Sequence, residues 1–145
     1  MIKRVLLIED QPHENRRAIR KLEEAGYDVI RAVGPETAKR RLRENPDIDL
    51  VILDCIMPPE CYTEEETNEG TTTGITLYMD ALQTREIPVA IWTVLGEIPR
   101  PAGASVPSGW DKMIILRTRK KTESDELVDL VHRCEAILAG RGGKG

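Results

Sequence analysis

The sequence predicts an α/β domain, a three-layer αβα sandwich around a five-stranded parallel sheet. Two wholly apolar runs, Val5-Leu6-Leu7-Ile8 and Leu50-Val51-Ile52-Leu53, end abruptly in acids. Strands without polar alternation are covered on both faces, as in parallel sheets flanked by helices. Amphipathic stretches of helical period separate the apolar runs, and strand–helix alternation implies right-handed crossovers. Phe is absent and aromatics are 3% of the chain. The core must therefore come from Ile, Leu, Val, Met and Ala, which suits such a sheet.

Strand 1 is Val5 to Ile8. Asp10 or Gln11 leads into Pro12, suited to a first helical turn, and Ala18, Ile19, Leu22 and Ala25 recur at helical spacing until Gly26. His13 is expected on the surface of that first turn. Tyr27 to Ala32 reads as strand 2. Gly34-Pro35 opens helix 2, with Ala38 and Leu42 inward, and Asn45-Pro46 closes it. Strand 3 is Leu50 to Leu53, and Pro58-Pro59 confirms that the chain has left the sheet, since proline cannot donate to a ladder. Residues 60–74 carry acids and no apolar period, and are expected to be a loop. Ile75, Tyr78, Met79 and Leu82 predict helix 3, and Pro88 to Val94 predicts strand 4. Prolines 99, 101 and 107 and glycines 96, 103 and 109 argue against a full helix between residues 95 and 111. Met113 to Leu116 is strand 5. Thr122-Glu123-Ser124-Asp125 offers caps for a last helix through Leu127, Val131, Cys134 and Leu138, ended by Gly140.

A chain of 145 residues makes one domain, residues 1–140, with a flexible tail at 141–145. Charged residues of both signs make up 32%, and the net charge of -4 gives no reason to expect nucleic acid or an acidic membrane as partner. Lys39-Arg40-Arg41 and Arg16-Arg17 are flanked by acids and read as solvated helix faces. The three cysteines, Cys55, Cys61 and Cys134, lack CxxC or Cys/His spacing, which disfavours a disulfide framework or a zinc site. The apolar run between Arg4 and Glu9 is too short for a signal peptide or a span, so a cytoplasmic location is expected. Cys55 reads as a small buried hydrophobe, and Trp92 and Trp110 as packing residues.

Parallel strands bring their C-terminal ends to one edge, where open α/β sheets place their chemistry. Glu9 and Asp10, Asp54, Thr93 and a basic residue after strand 5 share that edge. Asp54 is the leading candidate for the reactive group. If strands 1 and 3 are adjacent, three carboxylates lie together and their repulsion calls for a cation. Mg2+ suits them, preferring oxygen ligands with retained waters and phosphate oxygens.

The Glu9-Asp10 pair, Asp54 followed by Met57-Pro58, Thr93 ending strand 4 and a lysine beyond strand 5 resemble the receiver domain of two-component response regulators, over residues 3–139. The resemblance implies a flavodoxin-like sheet of order 2-1-3-4-5. It implies Asp54 as phosphoacceptor for a sensor histidine kinase or a histidine phosphotransfer protein. Mg2+ would be held by Glu9, Asp10, Asp54 and the backbone carbonyl of Ile56, and Thr93 and a lysine would contact the phosphoryl group. Spacing back from Leu127 selects Lys120, the favoured candidate, and spacing forward from strand 5 gives Arg117 as the alternative. Such a domain is a signalling phosphoacceptor, at most phosphorylating and dephosphorylating itself, and not a conventional enzyme. It would switch contact with a downstream protein, with a homodimer as one form.

The chain departs from the family at several points. Lys121 stands where a proline usually follows the lysine, strand 5 has no aromatic, and the glycine expected soon after Met57-Pro58 is Gly74. Residues 60–74 are thus an acidic insertion, for which Glu64, Glu65 and Glu66 suggest a lid over the phosphorylation site. Helix 4 is short or missing. The rival reading is a degenerate receiver acting as a constitutive protein-interaction module. An aspartyl phosphohydrolase would carry a second acid where Ile56 stands, and a flavin site would need a Ser/Thr/Gly phosphate loop where Glu9-Asp10 stands.

Overall fold

The computed structural model describes residues 1–11, 15–95, 97, 99–101, 106–120 and 124–142. Five strands, β1 (Arg4–Ile8), β2 (Asp28–Ala32), β3 (Leu50–Leu53), β4 (Val89–Thr93) and β5 (Ile114–Arg119), form one sheet of order β2-β1-β3-β4-β5. Every pairing is parallel. Order and parallelism agree with the sequence reading. Among the described residues no helix is long and apolar enough to cross a membrane.

Side chains alternate between the two faces, and each face is dry because helices cover both. Helices α1 (Arg16–Glu24) and α4 (Glu126–Gly142) cover one face. Their Ile19, Leu22, Leu127 and Val131 pack on Val5, Leu7, Leu50, Ile52, Ala90 and Trp92. Helix α2 (Pro35–Glu44) and the segment that begins as α3 (Thr73–Leu77) cover the other. There Ala38, Leu42, Ile75, Tyr78 and Leu82 meet Leu6, Ile8, Val51, Leu53 and Ile91. Each fully buried Leu or Ile contributes roughly 1.5–3 kcal/mol relative to exposure, so these two clusters hold the sheet between its helices.

The element boundaries differ from expectation where tertiary contacts override local pattern. β2 begins at Asp28 rather than Tyr27, because the Tyr27 N–H closes back on Leu22 of α1 at 3.3 Å and the ladder with β1 starts with Asp28 opposite Arg4; the Tyr27 hydroxyl donates to Glu135 of α4 at 2.7 Å. β5 ends not at Leu116 but at Arg119, running on through the basic residues because β4 offers a ladder out to Thr93. The long charged side chains of Arg117 and Arg119 reach solvent from this edge strand. α4 continues past Gly140 to Gly142, since a glycine weakens a helix interior without forbidding it. Arg141 and Gly142 therefore belong to the helix and not to a tail. Between Thr93 and Ile114 the described residues hold turns and no helix, as the prolines imply. Pro12, His13, Gly96, Gly103, Lys121, Thr122, Glu123 and residues 143–145 lie outside the described residues.

The insertion is folded, and the expected loop 60–74 ends early because the helix starts at Thr73. Thr67, Gly70, Thr72 and Thr73 are buried. Thr73 donates its hydroxyl to the carbonyls of Met57 at 2.6 Å and Gly70 at 3.1 Å, and Met57 N–H donates to Gly70 at 3.2 Å. These bonds close the insertion at its neck. The tip is tied to the helices. Glu60 accepts from the Glu36 N–H at 2.9 Å and so places a carboxylate at the positive end of α2, whose own cap position is Gly34. Tyr62 donates to Asp80 at 2.6 Å, and Lys39 of α2 pairs with the same carboxylate at 2.6 Å. After Leu77 the helix loosens into a π turn (Tyr78–Leu82) and a 3-10 turn (Gln83–Arg85). Ile75, Tyr78 and Leu82 are buried and Met79 packs beside them, so the expected inward face holds while the backbone changes its hydrogen-bond pattern.

Gly74 is where the insertion returns to the sheet. A Cβ on it would sit 2.0 Å from the backbone oxygen of Asp54, and its N–H donates to the Cys55 carbonyl at 3.0 Å. Gly74→Ala should destabilise the fold by about 3 kcal/mol in urea denaturation, since backbone must move to admit the methyl. Gly140→Ala, with open space around it, should be neutral or stabilising by up to ~1 kcal/mol.

Candidate functional site

The C-terminal ends of β1 and β3 lie side by side, with Ile8 opposite Leu53. Backbone bonds continue one residue beyond each strand. Glu9 N–H donates to Ala32 at 2.9 Å and Asp54 N–H to Ile8 at 3.1 Å, which fixes the carboxyl-bearing residues to the sheet edge. Glu9, Asp10 and Asp54 each bring one carboxylate oxygen within 4.8 Å of the others, close enough to share a metal ion. Glu9 and Asp54 are only 3% and 5% exposed.

Lys120 answers two of these charges, those of Glu9 and Asp54. Lys120 Nζ lies 3.0 Å from Asp54 Oδ2 and 3.6 Å from Glu9 Oε1, with 15% of its side chain exposed. Its position is set by the backbone, because Lys120 N–H donates to Thr93 at 2.7 Å and extends the β4–β5 ladder by one residue. Of the two basic candidates the structure brings Lys120 to Asp54. Arg117 points outward and pairs with Asp111 at 2.7 Å.

Each carboxylate has further partners. Asp54 Oδ1 accepts from the Ile56 N–H at 3.3 Å. Glu9 Oε1 accepts from the Gln11 N–H at 2.9 Å, and Glu9 Oε2 accepts from the Asn15 side-chain amide. Asn15 occupies the cap position of α1 but makes no capping bond, because its amide is turned to Glu9 and to the Gln11 carbonyl at 3.2 Å. Burial holds the Glu9 carboxyl above its ordinary range, opposed by the Lys120 charge and the Gln11 N–H and reinforced by Asp54 and Asp10.

Thr93 ends β4 beside this cluster and is buried. Among the described residues its hydroxyl makes no hydrogen bond of ordinary geometry, although it is near enough to influence the Cys55 thiol. Burial, aided by Asp54, pushes that thiol up to about 12. Cys55 therefore stays protonated and packs as a hydrophobe, as its sequence context suggests. Glu64, Glu65 and Glu66 are exposed on the insertion, and Glu66 closes a local turn with Thr63 through bonds of 2.9 and 3.0 Å.

Two residues near the cluster escaped the sequence reading. Asn15 gives no motif signal, since its link to Glu9 depends on how the chain enters α1. Trp92 reads as packing, yet its ring lies 4.4 Å beneath the Lys120 ammonium. The only hint is its place beside Thr93 at the end of β4.

The arrangement offers a buried carboxylate beside two more acids, a lysine and a buried threonine hydroxyl, which suits binding a divalent cation and a phosphoryl group at one sheet edge. No protein-family model matches the sequence, and no curated protein matches it. Solved structures do. A CheY-like response regulator receiver domain from Methanospirillum hungatei aligns over 100% of both chains with 19% identity and a TM-score of 0.65. The response regulator TrrA from Thermotoga maritima, solved in complex with Mg2+-BeF, aligns over 91% of this chain and 98% of its own, with 20% identity and a TM-score of 0.63. The receiver domain of the hybrid histidine kinase CckA aligns over 90% of this chain and 96% of its own, with 26% identity and a TM-score of 0.60. With its five parallel strands in the order β2-β1-β3-β4-β5, this chain has the fold of a response regulator receiver domain.

Proposed function

We propose that the protein is a phosphoacceptor signalling domain that carries a phosphoryl group on Asp54. The observation that carries this reading is the shared site of Glu9, Asp10 and Asp54 with Lys120 at 3.0 Å from Asp54. The donor would be a phosphohistidine on a sensor kinase or phosphotransfer protein in the cytoplasm. An Asp54 oxygen would attack phosphorus while the nitrogen–phosphorus bond breaks, leaving imidazole on the donor and an acyl phosphate here. A carboxylate is a weak nucleophile, so positioning and charge stabilisation must do most of the work.

The donor set fits Mg2+, being oxygen only and rich in carboxylate. Glu9, Asp10, Asp54 and the Ile56 carbonyl would hold it, and it would neutralise charge on the phosphoryl oxygens. Lys120 would move its ammonium from the Asp54 carboxylate to a phosphoryl oxygen. The Thr93 hydroxyl, buried without a conventional partner, would donate to another. The added charge of roughly -1.5 to -2 is enough to bias the surrounding loops and so a protein contact. The insertion, whose neck begins at Met57, would act as a lid governing the lifetime of the adduct.

Incubation with acetyl phosphate should give a base-labile phosphate adduct by intact mass that requires Mg2+ and is lost in Asp54→Asn. Absence of any adduct on folded protein overturns the proposal and favours the constitutive interaction module. Lys120→Gln removes the ammonium that pairs with both Asp54 and Glu9. Its melting temperature in EDTA should fall by about 4–8 °C, equivalent to ~2 kcal/mol, and Mg2+ should restore more stability than it adds to the wild type. Deletion of residues 61–72 should change the decay rate of the adduct, and an unchanged rate removes the lid role.

A further inference from the structure

Lys120 reaches Asp54 across the end of an intervening strand. β5 pairs with β4, and β4 with β3, so the lysine that follows β5 must pass over the end of β4 to meet the carboxylate that follows β3. The side chain it passes over is Trp92, fully buried and paired in register with Thr118. The ammonium stands 4.4 Å from the ring centroid while remaining 3.0 Å from Asp54 and 3.6 Å from Glu9.

We propose that Trp92 is a positioning residue, whose indole face holds the Lys120 ammonium over the carboxylate cluster. For its consequence in phosphoryl transfer, the inference rests on the function proposed above. Three observations support it. A lysine stem is flexible and costly to order, and a π face is a geometric anchor for its charged end. The indole N–H is buried without a hydrogen-bond partner among the described residues, so none of them tethers the ring through a polar contact. Lys120 is mostly shielded from water, where a cation over an indole is worth most.

The ring differs from the other two anchors in kind. Asp54 and Glu9 hold the lysine only while they are ionised and unmodified. The indole quadrupole does not change when Asp54 takes a phosphoryl group. Trp92 thus keeps the ammonium at the site while its acidic partner changes from carboxylate to acyl phosphate. A purely packing role would require the volume of the side chain and not its π face.

Proton NMR of the full chain separates the two. In the wild type the Lys120 ε-methylene protons, assigned by their loss in Lys120→Arg, should lie upfield of an ordinary lysine through the ring current. Trp92→Phe, which keeps a π face, should retain part of that displacement, and Trp92→Leu should abolish it. With acetyl phosphate and Mg2+, Trp92→Leu should slow adduct formation about fivefold, with Trp92→Phe closer to wild type. An undisplaced Lys120 resonance in the wild type overturns the inference without any variant, as does a displacement that survives in folded Trp92→Leu. Should Trp92→Leu fail to fold, the indole N–H resonance in Lys120→Gln provides the reciprocal reading: a shift supports the contact and an unmoved signal overturns it. If the wild type forms no adduct, the function proposed above fails while the Lys120 resonance still decides this inference.

Discussion

Like charge gathered at one sheet edge is the constraint on which the site depends. The parallel register of β1 and β3 places Glu9 and Asp54 on adjacent strand ends, and burial deprives both of the water that would screen them. Lys120 offsets this from β5, two strands away. The rest of the surroundings follow from the same need. Asn15 gives up a capping role to bond Glu9, Gln11 and Ile56 donate backbone N–H groups, and Trp92 offers a π face to the lysine. The three carboxylates stand close enough together that they could share a metal ion, which would relieve their repulsion further.

The insertion shows how a long polar segment can leave a strand end that carries a buried carboxylate and still be tied down by its own contacts. Its neck is closed by Thr73 and Gly70 against Met57, so the few residues between Asp54 and the neck stay short and ordered. Its tip substitutes for missing local features. Glu60 stands at the N-terminus of α2, where Gly34 has no side chain to cap with, and Tyr62 joins Lys39 and Asp80 to link α2 with the π turn after α3. Gly74 permits the return, since any larger residue would collide with the backbone of Asp54. The acids that the sequence places in a loop thus include one that serves a helix terminus and several that remain in solvent.

Much of the fold and most of the site could be read from the chain before any coordinates. Unbroken apolar runs such as Leu50 to Leu53 are unambiguous because strands covered on both faces tolerate no polar alternation. Gly26, with φ +100, ends α1 as its backbone freedom allows. Asp54, Glu9 and Asp10 stand out because parallel strands deliver their ends to one edge. Spacing favours Lys120 over Arg117 without excluding the latter, since the end of β5 depends on how far β4 extends as its partner.

What the sequence by itself determined is therefore the set of elements, their parallel direction and the acids at their ends, all consequences of periodicity and of where apolar runs stop. Only the tertiary structure decided which basic residue faces Asp54, that Asn15 and Trp92 attend Glu9 and Lys120, and that residues 60–72 fold onto α2 and the turn after α3. Those outcomes arise from contacts between residues far apart in the chain, set by register and by close backbone approach. A one-dimensional pattern carries no trace of either.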